Sequence, residues 1–169
     1  MDRSTTPNPR ARALADRLEQ GARALARFAD ALTDAEWNAP VPGDGRTVGV
    51  IVHHVASVYP LEIQLAQVLA GGGAVTGVTW ADVHAMNAAH AKDNAGATKA
   101  GALALLRQNS AEAAGAIRAL ADAQLDNAAE ASLYGNAPIT CQFMLEDHAV
   151  RHSYHHLARI RTALRAKAA

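Results

Sequence analysis

The chemistry open to this chain lies in its histidines. Four of the eight fall in one stretch, Asp147-His148-Ala149-Val150-Arg151-His152-Ser153-Tyr154-His155-His156-Leu157-Ala158-Arg159-Ile160, and two more, His53 and His54, sit together far upstream. On an α-helix, side chains four residues apart stand one turn above each other, with Cβ atoms about 5–6 Å apart, so His148, His152 and His156 would form a stripe. Two neighbours on such a stripe can chelate a divalent metal as neutral imidazoles. A third imidazole from another helix would leave coordination positions for water or a substrate thiolate, as in catalytic rather than structural sites. Spacing alone does not choose between the pairs His148/His152 and His152/His156; His152 belongs to both.

Such a site must be carried by helices, and the chain reads as all-α. Leu14, Leu18, Leu25, Phe28 and Leu32 recur at helical spacing over a first helix from Pro9 to Ala31, with Asn8 as its cap. Thr33-Asp34-Ala35-Glu36 has the form of a capping box, and Pro40, Pro42, Gly43 and Gly45 make a loop. A second main helix begins near Thr47 and ends at Gly71-Gly72-Gly73, with Pro60 expected to kink it. Its inward face would carry Ile51, His54, Val55, Val58, Glu62, Leu65 and Leu69, which makes His54 the best cross-bundle ligand and turns His53 elsewhere.

Thr79 can cap a helix to about Asn94 with Trp80, Val83 and Met86 on its apolar side, and Thr98 opens another running to about Ala121. Residues 122–138 read as a long connection. The last helix starts near Ile139 or Thr140 and runs to about Arg165, with Cys141, Leu145, His148, Ala149, His152, His156 and Ile160 along one face. No strand alternation extends beyond a few residues. The expected architecture is a four-helix bundle with long connections, a single domain over residues 1–169 whose first eight residues form a flexible tail.

Composition narrows the function classes. Half of the 169 residues are apolar but only 4% are aromatic, so the core must rely on close helix contacts through alanine. Sixteen basic and sixteen acidic residues cancel to zero net charge, which removes the usual footprint of a nucleic-acid binder. The single cysteine, Cys141, forms no intrachain disulfide and suits a cytoplasmic setting. No uninterrupted apolar run approaches the roughly 20 residues needed to span a bilayer, so no membrane partner is expected.

Other polar residues have plainer readings. His155 is expected at a rim, His84 at the surface, and His90 close enough to the core to be a satisfied structural residue. Glu62 could orient a ligand or act as a base. Cys141 reads as a small buried hydrophobe. Asp147 and Ser153 diverge from the histidines on the helical wheel, which argues against a hydrolase triad.

Two segments resemble the DinB-like family, which includes the mycothiol-dependent maleylpyruvate isomerases and bacillithiol transferases. Arg46-Thr47-Val48-Gly49-Val50-Ile51-Val52-His53-His54-Val55-Ala56 is similar to the family's start of a ligand-bearing helix, and His152-Ser153-Tyr154-His155-His156-Leu157-Ala158-Arg159-Ile160 to its last-helix signature. Leu120–Asp126 and Leu32–Trp37 match more loosely. The resemblance implies a bundle, often dimeric, with His54, His152 and His156 holding a divalent metal, zinc or nickel. It further implies a small-molecule substrate, with a low-molecular-weight thiol as a candidate, and S-transfer, thiol-dependent isomerisation or hydrolysis. A non-catalytic metal-binding or stress-related interaction protein is the alternative. Arg46 stands where the family commonly has tryptophan, and Arg159 where it commonly has glutamine.

Overall fold

The structure is a computed structural model that describes residues 8–168. The tail expected over residues 1–8 lies outside the described residues except for Asn8, which is tied down. Its side-chain amide donates to the backbone carbonyls of Arg118 (2.5 Å) and Leu120 (3.1 Å) instead of capping the first helix.

Four long helical elements build the bundle. In α1 (Pro9–Asp30), Leu14, Leu18 and Leu25 alternate with Ala11, Ala15, Ala22 and Ala29 on the buried face. Phe28, expected on that face, is only half-buried and lies under the Arg161 guanidinium, 5.1 Å from its ring centroid. Gly21 gives Tyr154 its seat, because a Cβ there would press on the tyrosine ring. The short α2 (Asp34–Trp37) has the expected capping box. It sets Trp37 close against Gly49, where any Cβ would overlap the indole, while Nε1 donates to the Ala97 carbonyl at 3.0 Å.

Thr47 caps α3 (Val48–Ala70), which is more widely buried than its pattern suggested: Val52, Tyr59, Ile63 and Ala66 are in the core, whereas Val58 and Leu65 are half-buried. Among the described residues, α3 is the one helix long and apolar enough to cross a membrane, and 61% of its most apolar window is buried inside the bundle. The helix continues through Pro60. Proline supplies no N–H to the carbonyl four residues earlier, that of Ala56, and this carbonyl accepts instead from the buried Asn109 amide at 2.8 Å.

Asn109 belongs to α5 (Lys99–Arg118), which packs extensively against both α1 and α3. Between α3 and α5 in the chain, α4 (Trp80–Asp93) is capped by Thr79 and Asp82 but buries none of its residues. Trp80 remains 52% exposed, so the apolar side expected to face the core faces something else.

The connection over residues 122–138 is more ordered than expected. After α6 (Asp122–Leu125), β1 (Ala128–Ala131) pairs antiparallel with β2 (Ala137–Thr140), in register from Ala128↔Thr140 to Ala131↔Ala137. A 3-10 turn at Ser132–Tyr134 and a left-handed Gly135 join the strands. Val75 anchors the hairpin through backbone bonds to Glu130 and Ser132, both 2.9 Å. The last helix starts at its Thr140 cap as α7 (Cys141–Met144), widens into a π-helical segment (Leu145–Val150), and continues as α8 (Arg151–Ala168).

Replacing Asn109 by Ala leaves the Ala56 carbonyl buried without a donor and is expected to cost about 1–3 kcal/mol in urea unfolding. The same substitution in a Pro60→Ala background should cost less, because residue 60 then supplies the missing N–H. Equal costs in the two backgrounds would contradict this account.

Candidate metal centre

Two helices converge on one point. His54 comes from the second turn of α3, His152 and His156 from the first two turns of α8, and one ring nitrogen of each lies within 4.8 Å of the others. Ring centroids are 5.2 Å apart for His54 and His152, 5.6 Å for His54 and His156, and 4.9 Å for His152 and His156. His54 and His156 are buried, and the Nδ1 atom of each has no hydrogen-bond partner. Buried polar atoms are almost always paired, so two orphaned nitrogens in one cluster mark a place built for something that supplies their partner.

The third ring is held differently. His152 Nδ1–H donates to Glu62 Oε1 at 2.5 Å, which leaves Nε2 as its free lone pair. A carboxyl group behind a ligating imidazole fixes ring orientation and tautomer, the arrangement usual at zinc sites. The donor set therefore fits a divalent metal: three imidazoles, one already oriented and two with unpartnered nitrogens.

Burial also sets the protonation state. Desolvation, reinforced by the neighbouring His152 and by Arg46, pulls His54 down to about 3; desolvation with His152 and His54 beside it pulls His156 down to about 2. Both are neutral near pH 7, as metal ligands must be.

His148 does not join them. Tyr134 Oη gives its proton to Asp147 Oδ2 at 2.6 Å, so the 2.9 Å bond between Tyr134 Oη and His148 Nε2 requires His148 Nε2–H as donor. That nitrogen has no lone pair to offer a metal. The wide π-helical turn, which contains His148, breaks the four-residue phase that would have placed it on the stripe. His155 is exposed at the rim, its ring 5.1 Å from that of His156. His84 is exposed, as expected. Cys141 is fully buried and its thiol is pushed up to about 11 by burial, in keeping with a hydrophobic role.

Spacing did not reveal a second histidine pair. His53 Nδ1 and His90 Nε2 are 2.9 Å apart, and the His90 ring lies 5.4 Å from that of His54, so α4 touches the centre through His90. The apolar side of α4 faces the same region. Trp80, Val83 and Met86, with Val58, Leu61 and Leu65 of α3, wall a cleft of about 520 Å³ onto which all three converging histidines and Glu62 open. Arg46 also lines it; its Nε and Nη2 clasp Asp44 at 2.5 and 3.0 Å.

Comparison with known proteins agrees with this fold. A family model described as the DinB superfamily matches residues 17–160. Among solved structures, the chain is similar to YfiT from Bacillus subtilis, described as a probable metal-dependent hydrolase with an unusual four-helix bundle topology. The TM-score is 0.77 at 23% identity over 99% of this chain and 93% of that one. No curated protein matches the chain.

The unfolded chain binds protons at ordinary histidine values near 6.5, the folded chain only at about 3 and about 2 for His54 and His156. Acidification therefore favours unfolding: stability is intact above pH 6.5 and falls as pH drops below it, by up to roughly 1.4 kcal/mol per pH unit for each such histidine. Asp44, held low by its arginines against the opposing effect of burial, adds to the loss below about pH 4. Urea unfolding of the metal-free protein from pH 7.5 to about 4 should show this decline, and a flat profile would refute it.

Proposed function

We propose that this chain, which belongs to the DinB superfamily, is a divalent-metal-dependent enzyme acting on a small molecule in the cleft, with His54, His152 and His156 as the metal ligands. The observation that carries this reading is the convergence of three imidazoles at an open, apolar-walled cleft, with two ring nitrogens buried and unpartnered. A structural site would be closed by a fourth protein ligand; none accompanies the three among the described residues. A divalent metal there lowers the pKa of a thiol or water placed on it, and so makes either nucleophilic near neutral pH.

Each surrounding residue has a definite task. Glu62 holds His152 in one tautomer, burial keeps His54 and His156 neutral, and the α3 and α4 walls strip water from an apolar substrate body. The resemblance to thiol-dependent isomerases and transferases supports a low-molecular-weight thiol as co-substrate. Water activation, and hence hydrolysis, is the second reading. It is favoured by Glu62 Oε2, which is buried without a partner and could accept a proton, and by the description of the Bacillus subtilis neighbour. Zinc or nickel suits three imidazoles. A cytoplasmic homodimer without nucleic-acid partners completes the proposal, supported by the resemblance, the lone cysteine and the zero net charge.

Elemental analysis of protein purified without an affinity tag should find about one divalent metal per chain, lost in His152→Ala and kept in His148→Ala; full occupancy in His152→Ala would sink the assignment. Glu62→Gln should weaken metal binding about 10- to 100-fold. Adding thiols to the cobalt-substituted protein separates the two reactions. A thiolate-to-cobalt absorption band supports thiol chemistry, and its absence, with ester or amide hydrolysis present, supports the second reading.

A further inference from the structure

Of the charged residues lining the cleft to which the metal proposal gives no task, namely Arg46, Asp82, Asp147 and Arg151, Arg46 is the one with a buried donor that has no acceptor. It lies in the loop before α3, with its side chain only 15% exposed. Two of its three guanidinium nitrogens are taken by Asp44, whose side chain is 4% exposed and also forms an ion pair with Arg159, Nη1 to Oδ2 3.1 Å. One buried carboxylate thus serves two guanidinium groups, and one positive charge is left over.

The third nitrogen, Arg46 Nη1, is buried and has no acceptor. Glu62 Oε2, a carboxyl oxygen of the same cleft, also has no partner, so the two are not within hydrogen-bonding reach of each other. Nor is this charge remote from the imidazoles: it opposes protonation of His54, His90 and His156. A buried guanidinium N–H with no acceptor is costly, and an anionic oxygen arriving from outside would remove that cost through a charge-assisted bond.

We propose that Arg46 is a specificity-determining residue, whose Nη1 receives a carboxylate oxygen of the substrate beside the imidazole triad while the apolar walls of α3 and α4 take the substrate's hydrocarbon body. This rests on the reading of the cleft as a small-molecule site, and it narrows the substrate to carboxylates with an apolar body. Asp44 makes the contact selective. By holding Nε–H and one Nη2–H it fixes the plane of the guanidinium and leaves the Nη1 end, with the second Nη2–H beside it, as the donor edge open to a ligand.

The test compares hexanoate with hexanamide, equal in size and different in charge, by calorimetry on metal-free and zinc-loaded protein. In the zinc-loaded protein a carboxylate can also reach the metal, so the metal-free arm carries the assignment. There, hexanoate should bind at least about tenfold more tightly than hexanamide, as expected for one charge-assisted hydrogen bond. The preference should fall to within about twofold in Arg46→Met, and in the double variant Asp44→Asn with Arg46→Met, which leaves no carboxylate deprived of its partner. Arginine side-chain NMR of the wild type reads the contact without any substitution: the Arg46 signal should shift with hexanoate and not with hexanamide. An absent preference in the metal-free wild type, one that survives in both variants, or an unmoved Arg46 signal would overturn the proposal. Direct zinc titration of the same samples reports separately on the metal reading. Failure to bind zinc with the hexanoate preference intact sinks only the metal assignment, and the reverse sinks only the role of Arg46.

Discussion

The hydrogen bond from His152 Nδ1–H to Glu62 Oε1 crosses between α8 and α3, the two helices that supply the converging histidines, and the geometry of the centre depends on it. One residue further along α8, Ser153 is fully buried and its hydroxyl lies 2.6 Å from that of Tyr59, again on α3. Two polar links at consecutive positions of one helix, reaching residues three apart on the other, leave no freedom to slide or rotate. A polar pair buried in an apolar core is strongly position-specific, because any slip leaves both groups unpaired. With α8 fixed in this way, His156 falls one turn further along and meets His54.

The part of the site that could be read from the residues is the part with regular helical phase. His152 and His156 lie in an unbroken α8, and His54 shares the phase of Ile51 and Val55, so helical phase is compatible with their convergence, although spacing alone left the pair His148/His152 equally open and the family resemblance made the choice. His148 has the same four-residue separation from His152 but lies in the π-helical segment, and nothing in Leu145–Val150 announces that wider turn. Pattern-reading also treats every apolar residue as core. Val58, Leu65, Val83 and Met86 are apolar and in phase, yet they face a cleft. Sequence distinguishes apolar from polar faces, but not a face that meets another helix from one that meets a cavity. The β-hairpin escaped notice for a related reason: Ala128–Ala131 has little intrinsic strand preference, and its pairing is held by backbone contact with Val75, far away in the chain.

The cleft follows from the way α4 is attached. A helix with no buried residue contributes little to the core, and α4 meets α3 at the contact of His90 with His53 and His54. Its apolar residues stand opposite those of α3 across the open volume, so apolar area remains in contact with water that a ligand would displace. At about 25 cal/mol per Å², covering such walls supplies affinity without orientation. Orientation must come from the few polar groups at the cleft, which is why the unpartnered atoms matter: Arg46 Nη1, His54 Nδ1, Glu62 Oε2 and His156 Nδ1 all belong to residues lining it.

These atoms also explain how a cluster of imidazoles can exclude protons and still suit a cation. A proton charges one ring, must be desolvated there, and is repelled by a second proton on the neighbouring ring less than 6 Å away. A divalent ion is shared by three lone pairs at once, so its charge is met by three dipoles, with the Glu62 carboxyl behind one of them. Arg46 opposes either kind of charge at the triad, and Asp44 offsets only part of that opposition because it also serves Arg159. An anionic oxygen at Nη1 would cancel the remainder. By linkage, whatever the anion gains from a metal on the triad, the metal gains equally from the anion. Arg46 would in this way make cation and substrate bind as a pair, coupled by the charge left over beside Asp44.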